Sequence, residues 1–286
     1  VTRLVSVGNA VVDLVIELPE LPRSGADVTA TSSRTVIGGS ATTLIAARRQ
    51  GLPAAYAGGH GTGPFGDLVR ASLAAEGVAV LTAPIAGRDT GWDLAIVEPG
   101  GQRTFLTSVG AEADADPGGL VLEPGDLLHV SGYALAREGS GAAIAAWIGS
   151  VPAGVTVLVD PGPLGGGVPP EVLDPVAARA DWWSASAAEA DDVPSGGFGL
   201  VIRRGADGCV VNGIQVPGFA VDAVDAVDTN GAGDVHVGVF LAGMASGLDP
   251  VAAARRANAA AAIAVTRPGP DGAPTGPELD AFLERR

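Results

Sequence analysis

From about residue 120 onward, short apolar runs alternate with helical segments, and this alternation restricts the fold more than any other feature. The runs "DLLHVSG", "VTVLVDPG", "DWWSAS", "FGLVIRRG" and "CVVNGIQV" read as strands, and helical segments lie near 139–149, 170–179, 232–246 and 250–265. Strands that are nearly continuously apolar belong in a sheet covered on both faces, so the pattern predicts an α/β fold with a mostly parallel central sheet.

The first hundred residues contribute to that sheet and also leave material over. "RLVSVGNAVVDLVIEL" (3–18) opens as a buried strand, turns at Gly8-Asn9 and resumes extended. After Gly38-Gly39, "SATTLIAARRQG" reads as a helix closed by Gly51, "PAAYAGG" as a short strand and "DLVRASLAAEG" as an amphipathic helix. "DVTATSSRTVI" is a half-exposed strand, and "GWDLAIVEPGGQRTFLTS" (91–108) a hairpin turning at "EPGGQ". The exposed segments, about 13–36 and 89–107, do not belong in a buried parallel sheet and predict a small β-sheet lid. With no internal repeat or linker, residues 1–286 read as one domain carrying that lid.

Charge excludes several functions. The net charge of −15 leaves no basic stripe for nucleic acid, and no apolar run is long enough to span a bilayer. No signal-peptide pattern opens the chain, and the lone Cys209 forbids an internal disulfide, so a cytoplasmic location is expected. All 17 basic residues are Arg. Without Lys there is no Walker-type phosphate loop, no protein-kinase ATP lysine and no Schiff base. The three His (His60, His129, His236) lack zinc-hydrolase spacing.

"DTNGAGD" (228–234) stands directly before an apolar helix. Gly231, Ala232 and Gly233 carry little bulk, so a ligand can approach their backbone N–H groups where the helix dipole favours negative charge. Asp234 then falls in the first turn beside that anion hole, placed to take a proton from a hydroxyl attacking phosphorus. The same letters also make a plain capped turn, and local sequence alone does not separate the two.

"DTNGAGD" resembles the ATP-site signature of the ribokinase-like (PfkB) carbohydrate kinases, and other motifs follow in that family's order over nearly the whole chain. "GNAVVD" resembles its first-strand motif, implying that Asp13 holds sugar hydroxyls. "IGGSATTLIAARRQG" resembles the segment whose backbone, here Gly38 and Gly39, closes on the sugar, with Thr43 where an Asn is usual. "TG…GGQRTF" resembles the lid hairpin, and "HVSGY" and "VDPGP" strand ends over the site. "SAAEAD" resembles an Asn-x-x-Glu motif, which gives Ser186 to the nucleotide and Glu189 to Mg²⁺. "RRGADG" resembles a phosphate-side segment containing Arg203, Gly205 and Gly208. "NAAAAIAVTRPGP" resembles the adenine and cation-site region, implying nucleotide contact for Asn258. There the resemblance also gives Asp228 a part in a monovalent-cation (K⁺) site with carbonyls near 264–270.

The resemblance implies ATP- and Mg²⁺-dependent transfer of a phosphoryl group to the hydroxymethyl of a ribose-, fructose- or ketodeoxygluconate-type sugar, with Asp234 as base. A nucleoside of the adenosine kind is the alternative acceptor, and the exposed lid strands allow a homodimer. The departures at Thr43, Gly63 and Ser186, and the missing Arg after "DPGP", fall mostly on the sugar-contacting end. Two other classes remain open: a non-catalytic sugar- or nucleotide-binding member, and an NAD-dependent oxidoreductase. The latter would use Gly61-x-Gly63-x-x-Gly66 with Asp89 as ribose partner, although Pro64 removes one N–H from that loop.

Overall fold

The β-branched and leucine-rich runs form strands that are apolar on both sides, and helices cover the two faces. The computed structural model describes residues 2–99, 103–221, 228–267 and 272–286. The chain opens with β1 (Leu4–Ser6), β2 (Ala10–Glu17) and β3 (Ser32–Gly39), followed by α1 (Ser40–Arg49) and β4 (Ala54–Tyr56). Next come α2 (Pro64–Ala75), β5 (Ala79–Val80), β6 (Trp92–Val97) and β7 (Arg103–Ser108). Then β8 (Leu127–Ser131), α3 (Gly132–Leu135), α4 (Glu138–Ile148), β9 (Thr156–Asp160) and α5 (Pro170–Arg179) alternate. Strands β10 (Trp182–Ser186), β11 (Gly199–Arg203), β12 (Cys209–Val211) and β13 (Ile214–Val216) precede α6 (Ala232–Ala245), α7 (Pro250–Ala264) and α8 (Gly276–Glu284).

The central sheet runs β13-β12-β11-β10-β9-β8-β1-β4-β5 and is parallel from β11 to β5. Alternate residues of one strand enter opposite cores. Leu4, Tyr56, Leu158 and Val201 pack with α1, α2, α6, α7 and α8 on one face. Val5, Ala55, Val157, Val159 and Trp183 pack with α3, α4 and α5 on the other. A second sheet, β3-β2-β6-β7, forms the lid expected from the exposed segments. Its strands begin at Ala10 and end at Ser108, so it starts closer to the Gly8-Asn9 turn than the sequence suggested.

Three elements differ from expectation. "CVVNGIQV" is not one strand but the hairpin β12–β13, because Asn212 and Gly213 both adopt positive φ (48° and 84°) and reverse the chain. The two-residue β5 was not foreseen. Nor was α8, although Thr275 and Glu278 form a capping box at its start.

Candidate active site

Parallel strands deliver their last residues to one edge of the sheet, where open α/β folds bind ligands. Ser131, Asp160, Ser186 and Arg203 each end a strand: β8, β9, β10 and β11. Register places Ser131 beside Asp160 and Ser186 beside Arg203. A cavity of about 170 Å³ opens there, lined by Ser131, Tyr133, Asp160, Glu189, Arg203 and Asp234 among others. A larger cavity of about 620 Å³ lies between α7 and α8, lined by Ala262, Thr266 and Phe282, with none of these chemically active groups on its wall.

The N-terminus of α6 faces the first cavity. Gly231 sits in the left-handed region (φ 74°), which glycine adopts without strain, and among the described residues no side chain caps the helix. The Ala232 N–H turns back to the Thr229 carbonyl at 3.4 Å, while Gly233 lines the cavity beside the Arg203 guanidinium. Asp234 follows in the first turn. Burial, then the neighbouring Asp160, push its pKa up to about 7, with Arg203 and a hydrogen bond from Thr43 acting in the opposite sense.

Arg203 is the cation of this edge. Its Nη1 donates to Asp160 Oδ2 at 2.8 Å and to Ser184 Oγ at 2.8 Å, its Nη2 reaches Asp160 Oδ1 at 3.3 Å, and Glu189 stands 3.6 Å away. Glu189 Oε2 also accepts the Ser186 N–H at 2.7 Å. Asp160 and Glu189 are thus engaged by a guanidinium, whereas among the described residues the hydrogen bond to the Asp234 carboxylate is one of 3.3 Å from the Thr43 hydroxyl. Burial lowers His129 to about 4 and raises Tyr133 to about 12, so near neutral pH neither exchanges a proton. Asp234, on the same cavity wall, has its pKa raised to about 7 and does change protonation there.

At the lid side, Asp13 of β2 is buried, and its pKa is raised to about 7 by burial and by Asp93. Asn230 Nδ2 donates to Asp13 Oδ2 at 3.3 Å. Gly38 lies so close that a Cβ there would stand 2.6 Å from the same oxygen. Gly39 precedes α1 as its N-cap.

Several residues meet partners other than those the resemblance implied. Thr43 was given to the sugar, but it is fully buried on α1 with its hydroxyl on Asp234. Asn258 was given to the nucleotide. Its amide instead ties helices to sheet, Nδ2 donating to the Val216 and Pro217 carbonyls and Oδ1 meeting His236 Nε2. Gly205 and Gly208 flank the turn after β11, and Gly208 packs against the Val216 carbonyl rather than lining the cavity. Asp228 was given to a monovalent cation. Its carboxylate takes Arg103 at 2.6 Å, Arg34 at 2.9 Å and the Asn230 N–H at 2.8 Å, so two lid arginines meet it in this structure. Of the carbonyls near 264–270, those of 268–270 lie outside the described residues.

The dinucleotide reading fails on geometry. Asp89 oxygens accept the N–H groups of Phe65, Gly66 and Thr90, so a protein carboxylate already occupies the anion position of that glycine loop. Sequence reasoning missed Asp160, Asn230, Tyr133 and Asp93. "VDPGP" hinted at the first of these, "DTNGAGD" held the second and "HVSGY" ended on the third, but none was given a role.

The fold and this strand-end site define an α/β phosphotransferase with a lid. The sequence profile of the pfkB family carbohydrate kinases matches residues 1–275, and the chain belongs to that family. It is 32% identical over 306 residues to the uncharacterized sugar kinase YegV of Escherichia coli (strain K12), covering 96% of this chain and 91% of that one. It is 30% identical over 302 residues to the ATP-dependent ribose-1-phosphate kinase of Halopiger xanaduensis, covering 99% of each. The structure of Arabidopsis thaliana ribokinase complexed with ribose and ATP superposes with a TM-score of 0.77 at 23% identity, over 99% of each chain.

Proposed function

We propose that this carbohydrate kinase transfers the γ-phosphoryl group of ATP to the hydroxymethyl of a small sugar, with Asp234 as general base. The observation that carries this reading is the Asp234 carboxylate. It is half-buried on the cavity wall, desolvation and Asp160 push its pKa up to about 7, and it stands in the first turn of a helix that has no side-chain cap among the described residues, beside Arg203. Asp234 takes the proton of the hydroxymethyl as its oxygen bonds to the γ-phosphorus, while the bond to the bridging oxygen breaks and ADP leaves with that electron pair. The N–H groups of Gly231 and Gly233 and the Arg203 guanidinium face the charge that accumulates on the transferring group, while the Ala232 N–H is turned back to Thr229. Asp160 and Ser184 hold that guanidinium in place.

Among the described residues no three His, Cys, Asp or Glu side chains form a metal cage. A Mg²⁺ ion on the nucleotide's phosphates needs only one or two carboxylates, and Glu189 on the cavity wall fits that need, through water. The ion supplies charge neutralisation at the phosphates. Asp13, Asn230 and the Gly38 backbone receive the acceptor, and the lid excludes water. The lid's edge strand β7 supports a homodimer. A cytoplasmic location agrees with the buried free Cys209, and among the described residues no helix is long and apolar enough to cross a membrane.

A coupled ADP-release assay over ribose, fructose, ketodeoxygluconate and adenosine, with and without K⁺, tests the reading. Sugar-dependent ADP release is expected. Sugars that raise the melting temperature while ATP is never consumed would mean a binding protein, and turnover with adenosine alone a nucleoside kinase.

A further inference from the structure

The lid carries a second carboxylate beside Asp13. Asp13 of β2 and Asp93 of β6 are partners in parallel register, so their side chains leave the same face of neighbouring strands about 4.8 Å apart. Like charges placed opposite one another destabilise a sheet, and the adjoining pairs Val12–Trp92 and Leu14–Leu94 are apolar on both strands. Asp93 Oδ1 is moreover buried with no hydrogen-bond partner among the described residues. A buried carboxylate oxygen left without a donor is costly, and nothing in the lid's packing calls for it.

The position of Asp93 supplies the reason. Tyr133, on the wall of the catalytic cavity, lies in the field of Asp234 and Asp93 together, so Asp93 looks onto the acceptor end rather than away from it. Asp13 Oδ2 has the Asn230 amide, and Gly38 closes tightly over it, which leaves room for hydroxyls but no side chain. The lid arginines of this region, Arg34 and Arg103, are paired with Asp228.

We propose that Asp93 is a second acceptor-binding carboxylate, and that with Asp13 it selects an acceptor offering two adjacent hydroxyl donors and no phosphate on its lid-facing side. The acceptor is thus an unphosphorylated polyol. This inference rests on the kinase reading above. Two acidic oxygens accept from neighbouring hydroxyls, while a phosphate group brought to the same face meets repulsion from both.

The test uses the full chain with D-ribose, D-fructose and ribose 1-phosphate as probes, for wild type, Asp93→Ala and Asp93→Asn. Wild type should use an unphosphorylated sugar at lower KM than ribose 1-phosphate. Asp93→Ala should raise that KM by about 10- to 100-fold, the loss expected for one hydrogen bond to a charged group, with kcat changed far less. Asp93→Asn keeps an acceptor oxygen in the same shape and should fall between the two, so the question stays answerable if the alanine variant folds poorly. The sugar-induced rise in melting temperature, read without ATP, should shrink in the same order. Unchanged KM and unchanged melting shift in both variants would overturn the proposal, as would ribose 1-phosphate proving the preferred acceptor. Failure of the wild type to release ADP with any sugar would sink the kinase reading instead, and the melting shifts would still judge Asp93.

Discussion

Arg103 of the lid strand β7 donates to Asp228, six residues ahead of Asp234, across 2.6 Å, and only 4% of the Asp228 side chain is exposed. Arg34 of β3 meets the other carboxylate oxygen at 2.9 Å. Two arginines of the lid therefore hold the foot of the glycine turn, tying lid and turn together. Arg103→Ala should cost about 1.5–3 kcal/mol, the range for a hydrogen bond to a charged group, read as a lower urea midpoint at unchanged m.

Loss of the base has a separate signature. Asp234→Asn should lower the rate of ADP release by about 10²–10⁴, the usual contribution of a general base, with ATP affinity by calorimetry nearly retained. Near-normal turnover would remove Asp234 from the mechanism.

The raised pKa values of Asp234 and Asp13 fix the sign of two pH dependences. Asp234 must be ionised to accept a proton, so kcat/KM should climb as pH rises through about 7, and Asp234→Asn should abolish that limb. Between the ordinary aspartate value of 3.8 and about 7 the folded chain holds protons that the unfolded chain has released. Stability should therefore fall as pH rises through that window, and Asp234→Asn should flatten the slope in urea titrations.

Arg203 and Asp160 are both largely buried, with side chains 13% and 14% exposed. Asp160→Ala leaves the guanidinium to Glu189 and Ser184 and should cost about 1.5–3 kcal/mol, while raising the KM for ATP more than that for the acceptor. Arg203→Lys should not restore activity, since a point charge does not span Asp160 and Ser184 as the planar fork does. Equal effects on both KM values would show a merely structural pair.

Phe105 and Leu106 of β7 are 48% and 54% exposed, and consecutive strand residues point to opposite faces, so both sides of this lid edge are apolar and open. Light scattering should give a dimer, and Leu106→Arg should shift it to monomer. A wild-type monomer at all concentrations would dismiss the lid contact.

Much of the fold was legible in single stretches. "TVLVD" and "VIR" become β9 and β11 because their apolar residues serve two cores, and "PEVLDPVAAR" forms α5 within the range its periodicity marks. The errors were local ones: Asn212-Gly213 carried a hairpin signal inside what read as one strand, and "TGPELD" a capping box that went unread.

The sequence by itself determined the alternation of strands and helices, hence the parallel sheet, and the glycine turn that sets Asp234 at a helix start. Those properties depend on neighbours a few residues apart, within reach of backbone hydrogen bonding and side-chain periodicity. Which side chains surround Asp234 was decided only in three dimensions. Thr43 comes to it from 191 residues away, Arg203 finds Asp160 across 43, and Arg103 crosses 125 to reach Asp228. Strand order and lid placement bring these groups together. Burial and charge then set what each can do, and neither exists until the sheet has closed.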